Sequence, residues 1–350
     1  MKRLLLIGAG HAHAVVLRAL AKEPLLGARI DFVSARGSEL YSGMVPGVIA
    51  GHYQRTDAEV DFRALAERAY VEFLETSVTG LDLARRTALL ADGRTLGYDI
   101  ASLNVGSRVD TSVRGAELAL AVKPFDKLLG ALGTPRRIAI AGAGAAGAEL
   151  AMALRFRGAE AVALYSDAAA PSMPHAARIE RILRRAKVDF RPGMPLEAIE
   201  PGPTVLSGAT RQDFDLVILA SGPRALDWPR ASGLAAHESG YVRVTRTLQS
   251  VSHPEIFAAG DCAVMEGMPE PKSGVFAVRQ GEVLHRNLVA AAADQALAGY
   301  VPRRRALSIL SCGARYAVAT WGEWAAEGRW VWHWKDRIDR RWVASLRSTA

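Results

Sequence analysis

Apolar and polar positions along the chain predict strands and helices in turn. Short apolar runs at 4–8 and 29–35 predict strands, and the segment between them, 11–21, has the spacing of an amphipathic helix. Strand-like and helix-like segments of this kind continue over most of the 350 residues. Because strands that alternate with helices form parallel sheets covered by helices, the pattern predicts an α/β fold.

Two stretches share one arrangement of strand, glycine-rich turn and helix. One begins at Leu4 and the other at Arg137. This repeat predicts two Rossmann-like dinucleotide-binding domains, and the simplest architecture inserts the second in the first. We expect a discontinuous first domain of residues 1–107 and 243–303, and an inserted domain of residues 108–242.

The remaining segment, 304–350, differs in character because it contains six of the seven tryptophans. Trp330, Trp332 and Trp334 alternate, so on a strand they would share one face. We expect an aromatic-rich α+β segment in which strands are followed by a basic helix. Tryptophan with arginine suits a membrane surface, but the same rings could cover the first domain or a dimer interface.

The composition excludes several classes of protein. Half of the residues are apolar and the net charge is +8, which admits anionic lipid, phosphorylated cofactors or nucleic acid as partners. Nucleic acid is the least favoured, because neither zinc-finger spacing nor an aromatic RNA motif is present. No apolar run reaches the ~18 residues of a membrane span, and the first run is too short for a signal peptide. We expect a cytoplasmic protein without a metal site, with peripheral contact to the inner face of the cell membrane as an alternative.

The second glycine turn has the full GxGxxG pattern, in Gly142, Gly144 and Gly147. Such a turn directs free backbone N–H groups and the positive end of a helix dipole at a pyrophosphate. We therefore predict a dinucleotide site, the alternative being a tight turn without a ligand. About twenty residues on, where an acidic residue often holds the ribose, stand Ser166 and Asp167, and Asp167 favours NAD.

The first glycine turn keeps Gly8 and Gly10 but has His13 in the third place. That third glycine normally allows close packing of helix on strand, so the phosphate cradle can survive without it. His11 and His13 lie in the first turn of the helix, where the dipole disfavours protonation. A neutral imidazole there either donates to a phosphate or fills the gap.

Other strand ends support the first turn as a nucleotide site. The second strand ends without an acidic residue, at Ser34 and Arg36. The segment IFAAGD, which ends at Asp261, offers a carboxylate and an N–H group to a ribityl chain. The segments NVGS, around Gly106, and LASG, ending at Gly222, are turns after strands, as expected where the chain passes from one nucleotide domain to the other. Each taken singly is an ordinary strand end. The residues concerned are Gly106, Gly222, Gly260 and Asp261.

The order of these motifs, over nearly the whole chain, resembles the two-dinucleotide flavoproteins of the pyridine nucleotide–disulfide oxidoreductase superfamily. The chain looks similar to type II NADH dehydrogenases and sulfide:quinone reductases. Its segments GAGHAH, YSGMVPG, KPFD, PKSGVFAVRQG and WKDRIDR resemble more closely the flavoprotein module joined to some selenide, water dikinases, whose dikinase domain is absent here. The resemblance implies that the first turn binds FAD and the second binds NADH or NADPH.

The resemblance also implies roles for single residues. It places Glu149 near the nicotinamide, where the carboxylate orients the carboxamide or simply caps the helix. It directs the helix that opens after Ser273 at the flavin, with Lys272 adding charge there or remaining a solvated lysine. Val78 and Val275 join the predicted FAD contacts.

Pro46 lies in the loop 41–53 that carries a redox cysteine pair in disulfide-reducing relatives. This loop has no cysteine, so the flavin is expected to pass electrons to an external acceptor. Cys262 and Cys312, the only cysteines, do not match the sulfide-oxidising pattern either.

The leading hypothesis is an FAD-dependent NAD(P)H:acceptor oxidoreductase of the type II NADH:quinone oxidoreductase kind. Hydride passes from NADH to FAD, and electrons then pass to an external acceptor, for which a quinone is the candidate. Two alternatives remain: a flavoprotein acting on sulfur or selenium species, and a flavin-binding regulatory partner with little turnover. A homodimer is left open.

Overall fold

The computed structural model describes residues 1–134, 136–268, 271–302 and 305–348. Within them the helices are α1 (His11–Lys22), α2 (Val45–Ile49), α3 (Arg55–Ala58), α4 (Phe62–Arg68), α5 (Phe125–Ala131), α6 (Ala145–Arg157), α7 (Ala176–Arg185), α8 (Trp228–Ala231), α9 (Gly274–Ala292) and α10 (Arg329–Arg347). The strands are β1 (Lys2–Ile7), β2 (Ala28–Ser34), β3 (Ser38–Leu40), β4 (Glu59–Asp61), β5 (Glu72–Glu75), β6 (Val78–Asp82), β7 (Thr87–Leu90), β8 (Thr95–Gly97), β9 (Ile100–Leu103), β10 (Arg108–Val109), β11 (Leu120–Ala121), β12 (Arg137–Ala141), β13 (Ala161–Tyr165), β14 (Asp189–Arg191), β15 (Ala198–Glu200), β16 (Thr204–Ser207), β17 (Thr210–Asp213), β18 (Leu216–Leu219), β19 (Pro223–Arg224), β20 (Val242–Val244), β21 (Ile256–Ala258), β22 (Ala263–Met265), β23 (Ser308–Ser311), β24 (Ala317–Trp321) and β25 (Trp324–Gly328).

A parallel sheet in the order β21-β9-β1-β2-β5 forms the centre of the first half. In β1 the consecutive residues Leu4 to Ile7 are all buried, as expected for a parallel strand covered on both faces. Helices α1 and α9 pack against each other beside this sheet. The strand ends at its carboxyl edge therefore meet in one place, beside the start of α1.

A second parallel sheet, in the order β11-β18-β12-β13-β14, repeats this arrangement. Its central strand β12 is buried from Ile138 to Ala141 and leads through the second glycine turn into α6. All of its strands lie in the chain between β9 and β21, which are neighbours in the first sheet. The predicted α/β class with two Rossmann-like cores is confirmed, whereas the exact domain boundaries remain a prediction.

The last segment begins with the antiparallel sheet β23-β24-β25, and α10 packs on it and on β4. The expectation of a strand at Trp330, Trp332 and Trp334 is wrong, because all three lie in α10. The buried residues of α10 recur every three or four positions, which only a helix can bury together. Trp330 and Trp334 stack one turn apart with centroids 6.3 Å apart, while Trp332 is buried against Tyr53.

The segment 41–53 is also more regular than the loop predicted for it. It forms a 3₁₀ turn at Ser42–Met44, followed by α2. Pro46 fits the first turn of α2, where a missing N–H group costs nothing. Gly47 is required because a Cβ there would lie 2.4 Å from the ring of Tyr53. Tertiary packing of α2 thus overrides the turn-like composition.

Candidate nucleotide-binding sites

The first glycine turn has the backbone shape of a phosphate cradle. Gly8 has φ +95°, and a Cβ at this position would lie 2.6 Å from the carbonyl oxygen of Asn104. A Cβ at Gly10 would lie 2.2 Å from Asn104 Oδ1. Gly10 is the N-cap of α1 and has no side chain that could cap the helix. Asn104 binds the N–H of His13, so the N–H groups of His11 and Ala12 are the first-turn groups that no capping side chain binds.

Asn104 organises this turn, and the sequence analysis missed it. Its Oδ1 accepts the N–H of His13 at 3.1 Å, and its Nδ2 donates to the Ala259 carbonyl at 2.6 Å. The side chain thereby joins the start of α1 to the ends of β9 and β21. The only signal in the sequence was its place directly after the buried run of β9, two residues before Gly106, where φ is +68° and a Cβ would meet nothing within 4 Å.

The imidazole ring of His13 fills the space between helix and strand at the position where the motif normally has a glycine. The ring is fully buried, with Nδ1 2.7 Å from the Gly8 carbonyl and Nε2 2.8 Å from Ser102 Oγ. Burial lowers the pKa of His13 to about 4, so the ring is neutral at pH 7. With both nitrogens bound to protein, neither is left for a phosphate. Of the two interpretations left open by the sequence, packing is the one supported, and we correct the assignment of His13 as a cofactor ligand.

His11 differs from His13 because its Nε2 atom is buried and has no hydrogen-bond partner among the described residues. Its ring meets Tyr41 edge-on at 5.6 Å, and a Cβ on Gly274 would lie 3.2 Å from Nε2. Burial, with a smaller contribution from Lys123, lowers the pKa of His11 to about 4. A buried polar atom without a partner is costly, so its position in a cradle fits a site that receives a polar ligand.

Gly260 and Asp261 follow the end of β21. Gly260 has φ +71°, and its N–H donates to Gln280 Oε1 at 2.7 Å. Asp261 Oδ2 lies 4.0 Å from Lys123 Nζ, a residue that sequence reasoning missed although it begins the quoted KPFD segment. Lys272 donates to the Ala263 carbonyl, and its Nζ lies 4.0 Å from the centre of the Tyr241 ring.

The other predicted FAD contacts are more scattered. Ser34 is buried at the end of β2, and Arg36 just beyond it pairs with Asp126 at 3.0 Å and Glu39 at 3.7 Å. Pro46 is buried in α2. Val275 is the second residue of α9, 40% exposed, and Val78 begins β6 in a separate antiparallel sheet. Of this group, only Ser34 and Arg36 are at the carboxyl edge of the first parallel sheet.

The second glycine turn repeats the geometry of the first with a third glycine. Gly142 has φ +105°, and its N–H donates to the Tyr165 carbonyl at 2.9 Å. A Cβ on Gly147 would lie 1.8 Å from the carbonyl oxygen of Gly142, so α6 packs as closely as the motif requires. A Cβ on Gly144, the N-cap of α6, would meet nothing within 4 Å. This open space in front of an uncapped helix fits a pyrophosphate.

The neighbouring strand ends complete the second cradle. Ser166 is buried, and its Oγ accepts the Ala168 N–H at 3.2 Å, whereas Asp167 is exposed. Gly222, with φ +101°, follows the end of β18, and a Cβ there would meet nothing within 4 Å. Gly144, Asp167 and Gly222 therefore follow neighbouring strands at one edge of the second sheet.

Glu149 does not cap α6. Its Oε1 accepts the N–H of Ser311, at the end of β23, at 2.7 Å. Burial raises the pKa of Glu149 to about 7, although the charge of Lys335 and the Ser311 hydrogen bond oppose the change. The carboxyl group can therefore hold or release a proton near neutral pH.

Comparison with known proteins identifies the family. Residues 2–281 match the family model described as "Pyridine nucleotide-disulphide oxidoreductase". The chain belongs to this family. FAD and NAD(P)H, predicted for the two turns, are confirmed as its cofactors, and the coarse prediction of a flavin-dependent NAD(P)H oxidoreductase is confirmed with them.

Curated relatives are distant. A "Nitric oxide reductase FlRd-NAD(+) reductase" of Aeromonas hydrophila is 28% identical over 77% of this chain and 73% of its own length. "Ferroptosis suppressor protein 1" of Taeniopygia guttata is 23% identical over 66% of each chain, so the present chain spans about two thirds of that relative.

Solved structures share the fold. A sulfide:quinone oxidoreductase from Aquifex aeolicus superposes with a TM-score of 0.81 at 16% identity, covering 100% of this chain and 92% of that one. NDH2 from Plasmodium falciparum gives 0.80 at 11% identity, with 98% and 97% covered. The resemblance to a module joined to selenide, water dikinases remains a prediction.

Proposed function

We propose that this protein is an NADH:acceptor oxidoreductase that holds FAD in the first cradle and receives NADH in the second. The observation that carries the proposal is the pair of helices α1 and α6, each with a glycine as its N-cap and each opening from a glycine turn at the edge of its own parallel sheet. The bound cofactors supply hydride transfer from nicotinamide to flavin and electron delivery to an acceptor.

In the first cradle, the free N–H groups of α1 would bind the FAD pyrophosphate, and His11 Nε2 would gain the partner it lacks. Asp261 would accept hydrogen bonds from the ribityl chain, while Lys123 balances its charge. The Ser273 side chain does not cap α9, so the positive end of this helix would be free to stabilise negative charge on a bound, reduced flavin.

In the second cradle, Asp167 selects the nicotinamide cofactor. Its exposed carboxylate follows β13, where it accepts hydrogen bonds from the adenosine ribose of NADH. The 2′-phosphate of NADPH would place a second negative charge beside the Asp167 carboxylate, and the two charges would repel each other. Glu149, the fifth residue of α6, would orient the nicotinamide carboxamide or exchange a proton near it.

The acceptor is external, and we propose a quinone. The segment 41–53 holds no cysteine. Both cysteines of the chain are buried and free, and burial raises the pKa of Cys312 to about 12, so its thiol is protonated at neutral pH. These facts disfavour sulfur chemistry at the cysteines.

A membrane surface suits a lipid-soluble acceptor. On α10, Trp330 is 57% exposed and Ile338 39% exposed, on the face that also presents Arg337 and Arg341. Aromatic rings beside arginines favour headgroup depth of an anionic bilayer. No helix in the described parts of the chain is long and apolar enough to span a bilayer, so we propose that the contact is peripheral.

Stopped-flow mixing of the FAD-loaded protein with NADH or NADPH tests this function. The flavin colour should bleach faster with NADH, and a short-chain quinone should restore it faster than oxygen does. Equal rates with both cofactors would overturn the role of Asp167. Reoxidation by oxygen alone, with no effect of quinone, would overturn the acceptor.

A further inference from the structure

Two sequence motifs far apart in the chain are bonded to each other. Lys335, in WKDRIDR on α10, donates from Nζ to the Gly43 carbonyl of YSGMVPG at 2.6 Å. The same Nζ bonds Asp339 Oδ2 at 2.5 Å. The side chains of Lys335 and Asp339 are only 8% and 5% exposed. A buried ion pair thus holds α10 against the segment before α2.

Tyr41 extends this contact to the first cradle. A Cβ on Gly43 would lie 2.9 Å from the Tyr41 ring, so the ring packs directly on the residue that Lys335 holds. Burial, together with the nearby Asp339 carboxylate, raises the pKa of Tyr41, so its hydroxyl is protonated at neutral pH. The ring meets His11 edge-on at 5.6 Å and lies 6.5 Å from Trp342 of α10. Tyr41 therefore contacts the histidine that offers an unpartnered nitrogen to the ligand.

Helix packing alone does not explain these charges. Burying an ion pair costs several kcal/mol per ion, and apolar residues of similar size often stabilise as well or better. A pair at the same i, i+4 spacing, Glu180 and Arg184 on α7, lies at the surface, with side chains 27% and 70% exposed. Such pairs contribute little wherever they lie in solvent. The buried pair instead fixes an orientation, because the Lys335 ammonium makes its hydrogen bond to the segment at Gly43 only when the Gly43 carbonyl points at it.

We propose that Lys335 and Asp339 are positioning residues that fix Tyr41 and Gly43, so that α10 forms a wall of the FAD cradle through Tyr41 and His11. This inference rests on the proposed function, because it assigns α10 to the flavin site of that enzyme. It gives the WKDRIDR segment a role distinct from membrane contact, since Lys335 and Asp339 face inward.

Four variants test the inference: Lys335→Met, Asp339→Asn, the double variant, and Tyr41→Phe. Glu180→Gln, which alters the exposed pair on α7, is the matched control. For each purified protein we would measure the dissociation constant of FAD from the apoprotein, the visible circular dichroism of bound flavin and the thermal midpoint of the apoprotein.

Each single charge variant should weaken FAD binding about tenfold or more, because one buried charge loses its partner. The double variant should lose less than the two single losses combined. Tyr41→Phe should weaken FAD a fewfold and change the circular dichroism band while its thermal midpoint matches the wild type. The control should match the wild type in all three measurements.

Tyr41→Phe keeps the test decisive if the charge variants do not fold. Wild-type FAD affinity and an unchanged circular dichroism band in Tyr41→Phe, or in a folded double variant, would overturn the positioning role alone. A wild-type protein that binds no FAD would instead overturn the proposed function.

Discussion

Replacing Glu149 by glutamine should make the protein more stable than wild type at pH 8 and change its stability little at pH 5. The glutamine Oε1 can still accept the Ser311 N–H, so the variant removes the titration and keeps the hydrogen bond. The groups that face Glu149 are Lys335 and Asp339 of α10, together with Tyr41 and Cys312.

The magnitude follows from the pKa of about 7 in the folded protein against 4.5 when unfolded. A folded pKa above the unfolded one adds stability that is fully present below pH 4.5 and is lost as the pH rises through 7. At about 1.4 kcal/mol per pKa unit, the loss by pH 8 is up to about 3 kcal/mol. Glutamine has no proton to release and avoids this loss.

Urea unfolding at pH 5, 6, 7 and 8 measures the difference between variant and wild type. Taking the difference cancels the other titrating groups, and Glu180→Gln on α7 controls for removing a partly exposed carboxylate. The free-energy difference should grow with pH in favour of Glu149→Gln and level off above pH 8. A difference that stays constant from pH 5 to 8, or that reverses sign, would refute the assignment of a buried carboxyl with a raised pKa.

Three further outcomes follow from the structure. The pKa of His13 falls from 6.5 to about 4 on folding, so the neutral ring contributes stability that is present above pH 6.5 and is lost as the pH falls. In urea unfolding, His13→Gln should therefore reduce the loss of stability between pH 7 and pH 5 by up to about 2 kcal/mol. An unchanged pH profile would contradict this. Gly147→Ala places a Cβ 1.8 Å from the Gly142 carbonyl oxygen, and it should weaken NADH binding about tenfold or more in calorimetric titration while leaving FAD bound. Loss of FAD with normal NADH affinity would mean that the two cradles bind the opposite cofactors. Asp167→Asn should narrow the preference for NADH over NADPH about tenfold in kcat/KM, and an unaltered ratio would remove Asp167 from the ribose site.

The features that local chain physics determines could be predicted from the sequence. A glycine turn between a buried strand and a helix defines its own geometry, so Gly8, Gly142 and Gly147 were found where the structure has them. The helix expected after Ser273 begins at Gly274. Both parallel sheets follow from the alternation of strands and helices.

Features that depend on tertiary contacts were missed or misread. Asn104 acts by joining the start of α1 to the ends of β9 and β21, and no pattern near it in sequence indicates that role. The alternating tryptophans fit a strand as well as a helix, and only the apolar surfaces beneath Val331 and Trp332 select the helix. Lys335 and Asp339 have the spacing of a solvent-exposed pair and are buried only because α10 packs on the segment at Gly43.

The central claim is that two nucleotide cradles on one chain bring a nicotinamide to a flavin. Anaerobic titration of the FAD-loaded protein with NADH tests it most directly. One equivalent of NADH per FAD should bleach the flavin completely, with no thiol consumed. A protein that retains no FAD, or a flavin that keeps its colour under excess NADH, would contradict the account.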